Sequence, residues 1–191
     1  MKEPTQLKTL DDLMAQARHY AEFCLRNSGS MAPTLFLIGD AGPMMCAAGS
    51  MADEAAKDGF ANMSRLVCIA HGATSCVMVM EAWMKTAKPD QPLDMTEAPS
   101  EAFDREEVVV LMGEDRSGQR QQFLPIIRSG NGKFFNLGDS TLPIMDNIEG
   151  RFAQILSPKI PDAQAKLLAQ TMLKVKKAKM IRLGKQGRFR G

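Results

Sequence analysis

The chain has 191 residues, 45% of them hydrophobic and 24% charged, a composition that excludes a wholly disordered polymer and provides for one sizeable core. Its formal net charge of +2 hides an asymmetry: all 22 acidic residues but only 16 of the 24 basic ones precede Lys174, so residues 1–173 carry −6 and residues 174–191 carry +8. No run reaches the roughly 18 apolar residues that a membrane span needs, and MKEPTQLKTLDDL lacks a secretory apolar core, so the expected setting is the cytoplasm, with no membrane partner.

The first predicted element is a helix from Leu10 to about Asn27, capped by Thr9 with Asp12 completing a box. Leu13, Met14, Ala17, Tyr20, Ala21, Cys24 and Leu25 recur at helical spacing on one face. TLFLI (34–38) and MMCAA (44–48), joined by GDAGP, read as a hairpin. Ser50-Met-Ala-Asp53 opens a second helix to about Ala70, with Ala55, Ala56, Phe60, Met63, Val67 and Ala70 expected inward. Gly59 weakens that helix or permits a close backbone approach.

CVMVMEAWM (76–84) is almost continuously apolar and is predicted as a central strand. Residues 85–103, rich in Pro, Asp and Glu, read as a surface loop of unusual length. EVVVLMG (107–113), RQQFLPII (120–127) and KFFNL (133–137), separated by EDRSG and SGNG, form an antiparallel meander. Ile144, Ile148, Phe152, Ile155 and Leu156 predict a third helix over 142–156, and a fourth runs from Ala163 to about Met172 or on into the basic tail.

The order α-β-β-α-β-β-β-(β)-α-α gives an α/β (α+β) single domain with a mainly antiparallel sheet: a core over 1–157, an additional helix over 158–173 and a basic tail over 174–191. Over residues 9–156 this order resembles the profilin-like and roadblock-like arrangement, a central antiparallel sheet with helices packed on it. The resemblance implies a non-catalytic sensor, scaffold or dimerising module. The 85–103 insertion and the last two helices depart from that compact pattern.

Chemistry-bearing residues are sparse. Cys68, His71 and Cys76, with Cys46 on an earlier strand, include the soft donors zinc uses, but in a helix-end, loop and strand-start spacing unlike a knuckle. Cys68 with His71 could pair as nucleophile and base, yet Cys68 sits on the buried side of an apolar helix. Reduced core cysteines explain Cys24, Cys46, Cys68 and Cys76 as well. Met44, Met45, Met78 and Met80, among 15 methionines, read as core filler. Asp40, Glu81, Asp104 and Asp115 would matter together only if the fold gathered them. GDAGP and SGNGK are turns, not phosphate-cradling loops. No catalytic residue, metal site or cofactor is assigned.

The strongest lead is KVKKAKMIRLGKQGRFRG. Lys174, Lys176, Lys177, Lys179, Arg182, Lys185, Arg188 and Arg190 are candidate phosphate contacts, with Phe189 a candidate stacking partner for a base. The expected function is a non-enzymatic protein-interaction or regulatory module whose partner is another protein or a second copy. The alternative is an accessory protein whose tail contacts RNA or DNA.

Overall fold

Thr9 opens helix α1 (Leu10–Ser28) as the sequence predicts. Its hydroxyl accepts from the Asp12 N–H at 3.1 Å, and the Asp12 carboxylate accepts from the Thr9 N–H at 3.0 Å, so each satisfies a donor that the first turn leaves unpaired. Gly29 ends the helix in the left-handed region, at φ 75°, donating to the Leu25 carbonyl. Helix α2 (Glu54–Ala70) starts later than Ser50 suggested. Asp53 is its cap, accepting from the Ala56 N–H at 2.7 Å, and Ala55 is exposed rather than inward. The computed structural model describes residues 7–49, 51–85, 105–140, 150–176 and 180–183. Ser50, most of the 85–103 loop, residues 141–149 and the chain beyond Leu183 lie outside them.

The strands are β1 (Thr34–Gly39), β2 (Gly42–Ala47), β3 (Ser75–Met84), β4 (Glu106–Asp115), β5 (Gly118–Arg128), β6 (Phe134–Leu137) and β7 (Ile181–Arg182). They form one seven-stranded sheet in the order β6-β5-β4-β3-β1-β2-β7, with every neighbouring pair antiparallel. Together with α1, α2 and α3 (Ala163–Lys176) this is a mixed α/β domain with three helices among the described residues. Turn chemistry sets the hairpins. Asp115 Oδ1 accepts from the N–H groups of Ser117 and Gly118, and the backbone bond between Ser129 and Lys133 closes the β5–β6 turn.

Both faces of the sheet are buried, which explains the unbroken apolar runs of its inner strands. Leu35, Leu37, Met44, Cys76, Met78, Val108 and Val110 face α2 and α3. Phe36, Met45, Val77, Val79, Val109 and Leu111 alternate onto the other face, beneath Leu13, Ala17 and Ala21 of α1. Gly113 lets α1 come close, since a Cβ there would lie 3.0 Å from Met14 Sδ and 3.1 Å from Leu10 Cδ1.

Two segments depart from expectation. Residues 150–156 of the predicted third helix are not helical. Their apolar spacing is real, with Ala153, Ile155 and Leu156 buried beside α2, but side chains from elsewhere claim the backbone polar groups. The Arg65 guanidinium donates to the carbonyls of Arg151, Ala153 and Gln154, while Glu114 accepts the N–H groups of Ile155 and Leu156. Gln154, at φ 54°, further excludes a right-handed helix.

The second departure lies in the basic terminus. Ile181 and Arg182 pair with Met45 and Met44 as an edge strand, and the Leu183 N–H donates to the Pro43 carbonyl at 3.0 Å. Leu183 is buried on the α1 face. An unpaired edge of β2 beside an apolar Met-Ile-x-Leu segment invites this addition.

Candidate protein-docking face

Most of the residue groups with chemical potential are separated or already satisfied. Cys68 and Cys76 meet in the core, where a hydrogen bond between the thiols and then burial push Cys76 well above the usual thiol range. Burial also raises Cys46. Such thiols stay protonated and poorly nucleophilic. His71, the α2 C-cap, has Arg182 and Asp40 as its charged neighbours. The described residues hold no group of three or more His, Cys, Asp or Glu side chains able to bind a metal.

The carboxylates are dispersed as well. Asp40 pairs with Lys166 Nζ at 2.6 Å, Glu81 accepts the Met31 N–H, and Asp115 caps its own turn. Asp104 lies outside the described residues. The Arg105 guanidinium lies 4.4 Å from the ring centroid of Trp83. An open cleft of about 420 Å³ lies where the β4–β5 turn meets residues 154–158, walled by Glu114, Arg116, Ser117 and Gln154. Its strongest polar groups are engaged: Glu114 holds Ile155 and Leu156, and Arg116 donates to the carbonyls of Ser157 and Ala73.

Among the described residues, the largest run of exposed apolar side chains on one element lies on α3. Asp162 caps this helix, accepting from the Ala165 N–H at 2.7 Å. Ala169 and Leu173 bury its inner side against α2, Gln170 Nε2 donates to the Ala70 carbonyl at 3.0 Å, and the Lys166–Asp40 pair ties it to the β1–β2 turn. Off this packed line, Leu168, Met172 and Val175 lie roughly a quarter-turn round the helix and Leu167 farther round; the four are 63%, 41%, 80% and 65% exposed, with Ile160 just before the helix at 79%. At about 100° per residue, Leu168, Met172 and Val175 fall within an arc of about 60°. A helix that is apolar on two sides has one side more than its own domain uses.

The predicted fourth helix over 163–172 does not by itself distinguish this face from the packed one. The signal was present: Ala165, Ala169 and Leu173 form one helical series, and Leu168, Met172 and Val175 form a second. Of the predicted tail contacts, Lys174 and Lys176 are exposed at the end of α3 and Arg182 is exposed on β7. Lys177, Lys179, Lys185, Arg188, Phe189 and Arg190 lie outside the described residues. Compared with protein-family models, curated protein sequences and solved structures, the chain matches none. No described helix is long and apolar enough to cross a membrane.

His71 gives a pH test of how β7 and the β1–β2 turn are joined. Burial holds its imidazole below the ordinary value of 6.5; the positive charge of Arg182 acts the same way and Asp40 acts against both. The unfolded chain therefore takes up this proton before the folded one. The stability that depends on His71 is intact above about pH 6.5 and is lost as pH falls through the depressed folded value. The melting temperature is expected to fall between about pH 7 and about pH 5, and less steeply in His71→Asn. Glu81, raised by burial, contributes with the opposite sign at lower pH, so equal slopes in the two proteins would show that His71 is not responsible.

Proposed function

We propose that the chain is a non-enzymatic protein-interaction or regulatory module, acting in the cytoplasm, whose docking face is the outer side of α3. The observation that carries this reading is the charge-free series Leu168, Met172 and Val175, flanked by Leu167, on a helix whose other side is already packed. Burial of each such side chain is worth about 1.5–3 kcal/mol, so covering the face would stabilise a complex substantially. The likeness of the element order to profilin-like and roadblock-like modules supports the reading by analogy alone. The test is a photo-crosslinking residue at position 172 in cells that make the protein, with position 133 as the control. A protein adduct identified by mass spectrometry is expected at 172 and not at 133; none at 172 would refute the reading.

A second reading, in which the basic terminus contacts RNA or DNA phosphates, is favoured by Lys174, Lys176 and Arg182. They are exposed and have no acidic partner among the described residues. A chain ending at Leu183 separates charge from fold, because it keeps β7 and its buried leucine while removing Lys185, Arg188 and Arg190. If the reading holds, the full chain binds single-stranded RNA or DNA at low salt with an affinity that falls steeply as salt rises, and the shortened chain shows a salt slope smaller by about two to three. Absence of binding at low salt refutes it.

A further inference from the structure

The outer face of α3 has a symmetry that points to its occupant. We propose that it is covered by α3 of a second copy of this chain, laid antiparallel across a twofold axis near Thr171 and Met172. This rests on the reading of that face as a docking face. An isologous contact requires a patch that is complementary to itself after a half-turn. Leu168 and Val175 lie at equal distances in sequence on either side of the point between Thr171 and Met172. An antiparallel pair therefore sets Leu168 of each copy against Val175 of the other, with Met172 near the axis.

The polar groups agree with this orientation. Thr171, the hydroxyl nearest the axis, already donates to the Leu167 carbonyl at 2.9 Å, so burial would not leave it unpaired. Gln170 is turned inward to α2 and Lys166 is paired with Asp40, which keeps both off the seam. The ends of the helix differ in charge: Asp162 stands at the start, and Lys174 and Lys176 stand in the last turn with no acidic residue beside them. Antiparallel pairing brings the basic end of one helix toward the acidic cap of the other. Parallel pairing would set the lysines of both copies side by side, where like charges repel.

The experiment is sedimentation equilibrium of the full chain over a concentration series, with Met172→Glu and Val175→Glu compared. The wild type is expected to form a dimer, and each variant to raise the dimer dissociation constant at least about tenfold while keeping its circular dichroism spectrum. Orientation is read by mixing differently tagged Leu168→Cys and Val175→Cys chains under mild oxidation. The antiparallel pair gives the mixed disulfide in preference to either self-disulfide, whereas a parallel pair gives the reverse and overturns the proposal. A dimer unaffected by both glutamates also overturns it. A wild-type monomer throughout overturns the second-copy proposal. If position 172 nonetheless crosslinks to a different protein, the docking face stands and only its occupant is wrong. If it crosslinks to nothing, both readings fail together.

Discussion

Glu114→Ala is expected to lower the free energy of unfolding by about 3 kcal/mol, measured by chemical denaturation. The residue is 5% exposed, and its two carboxylate oxygens accept the N–H groups of Ile155 at 3.0 Å and Leu156 at 2.9 Å. Removing it leaves two buried donors without partners, each worth about 1–3 kcal/mol. Those donors belong to a segment that is not helical and cannot supply replacements. Glu114→Gln should recover only part of the loss, since its amide oxygen can serve one donor while its NH2 confronts the other. Amide exchange at Ile155 and Leu156 should rise more than elsewhere if the segment detaches locally. A change below about 0.5 kcal/mol in Glu114→Ala would show that residues 150–156 hold their place without the carboxylate.

Gly39→Ala is expected to cost about 2–3 kcal/mol, a fall in melting temperature of roughly 5–10 °C for a chain of this size. A Cβ at Gly39 would stand 2.5 Å from the His71 carbonyl oxygen. That oxygen is main chain, accepts the Asp40 N–H at 2.9 Å and sits at the end of α2, so it cannot rotate away. Relief requires shifting α2 or the β1–β2 turn, and the shift would disturb the Asp40–Lys166 pair that seats α3. Gly59→Ala is the matched control. Nothing lies within 4 Å of its virtual Cβ, so the exposed middle of α2 should gain about 0.5–1 kcal/mol from better helix propensity. Equal effects at the two glycines would mean that the close approach at Gly39 does not exist.

The two substitutions also bear on function. They act on the connections that fix α2, α3 and residues 150–156 against one face of the sheet. If α3 is the docking face, its outer side can be presented rigidly only while its inner side is held. Gly39→Ala should therefore weaken partner binding as well as stability, whereas Met172→Glu should weaken binding alone.

Much of the framework was legible in the sequence because its signals are local. Thr9 and Asp12 announce the start of α1 by a reciprocal bond three residues apart. The Gly-containing turns separate apolar strand runs, and the length of the run through Cys76–Met80 marks it as inner sheet. Over residues 150–156 the predicted third helix does not form, because the helical spacing of Phe152, Ile155 and Leu156 records which side chains face a core, not which groups satisfy the backbone between them. Arg65 and Glu114 make that decision, from 86 or more and 41 or more residues away. In the basic terminus the charge pattern masks a second signal, the apolar alternation that sets Met180 and Leu183 on opposite faces of the sheet edge.

By itself, the sequence determined strands β1 to β6, their turns, two helix starts and the division between an acidic body and a basic end, because capping, alternation and turn preferences act over a few residues. Tertiary structure decided that both sheet faces are covered, that residues 181–182 join the edge beside β2, and that among the described residues Leu167, Leu168, Met172 and Val175 of α3 stay exposed. These outcomes depend on which apolar surface finds a neighbour, and neighbours distant in the chain leave no local mark.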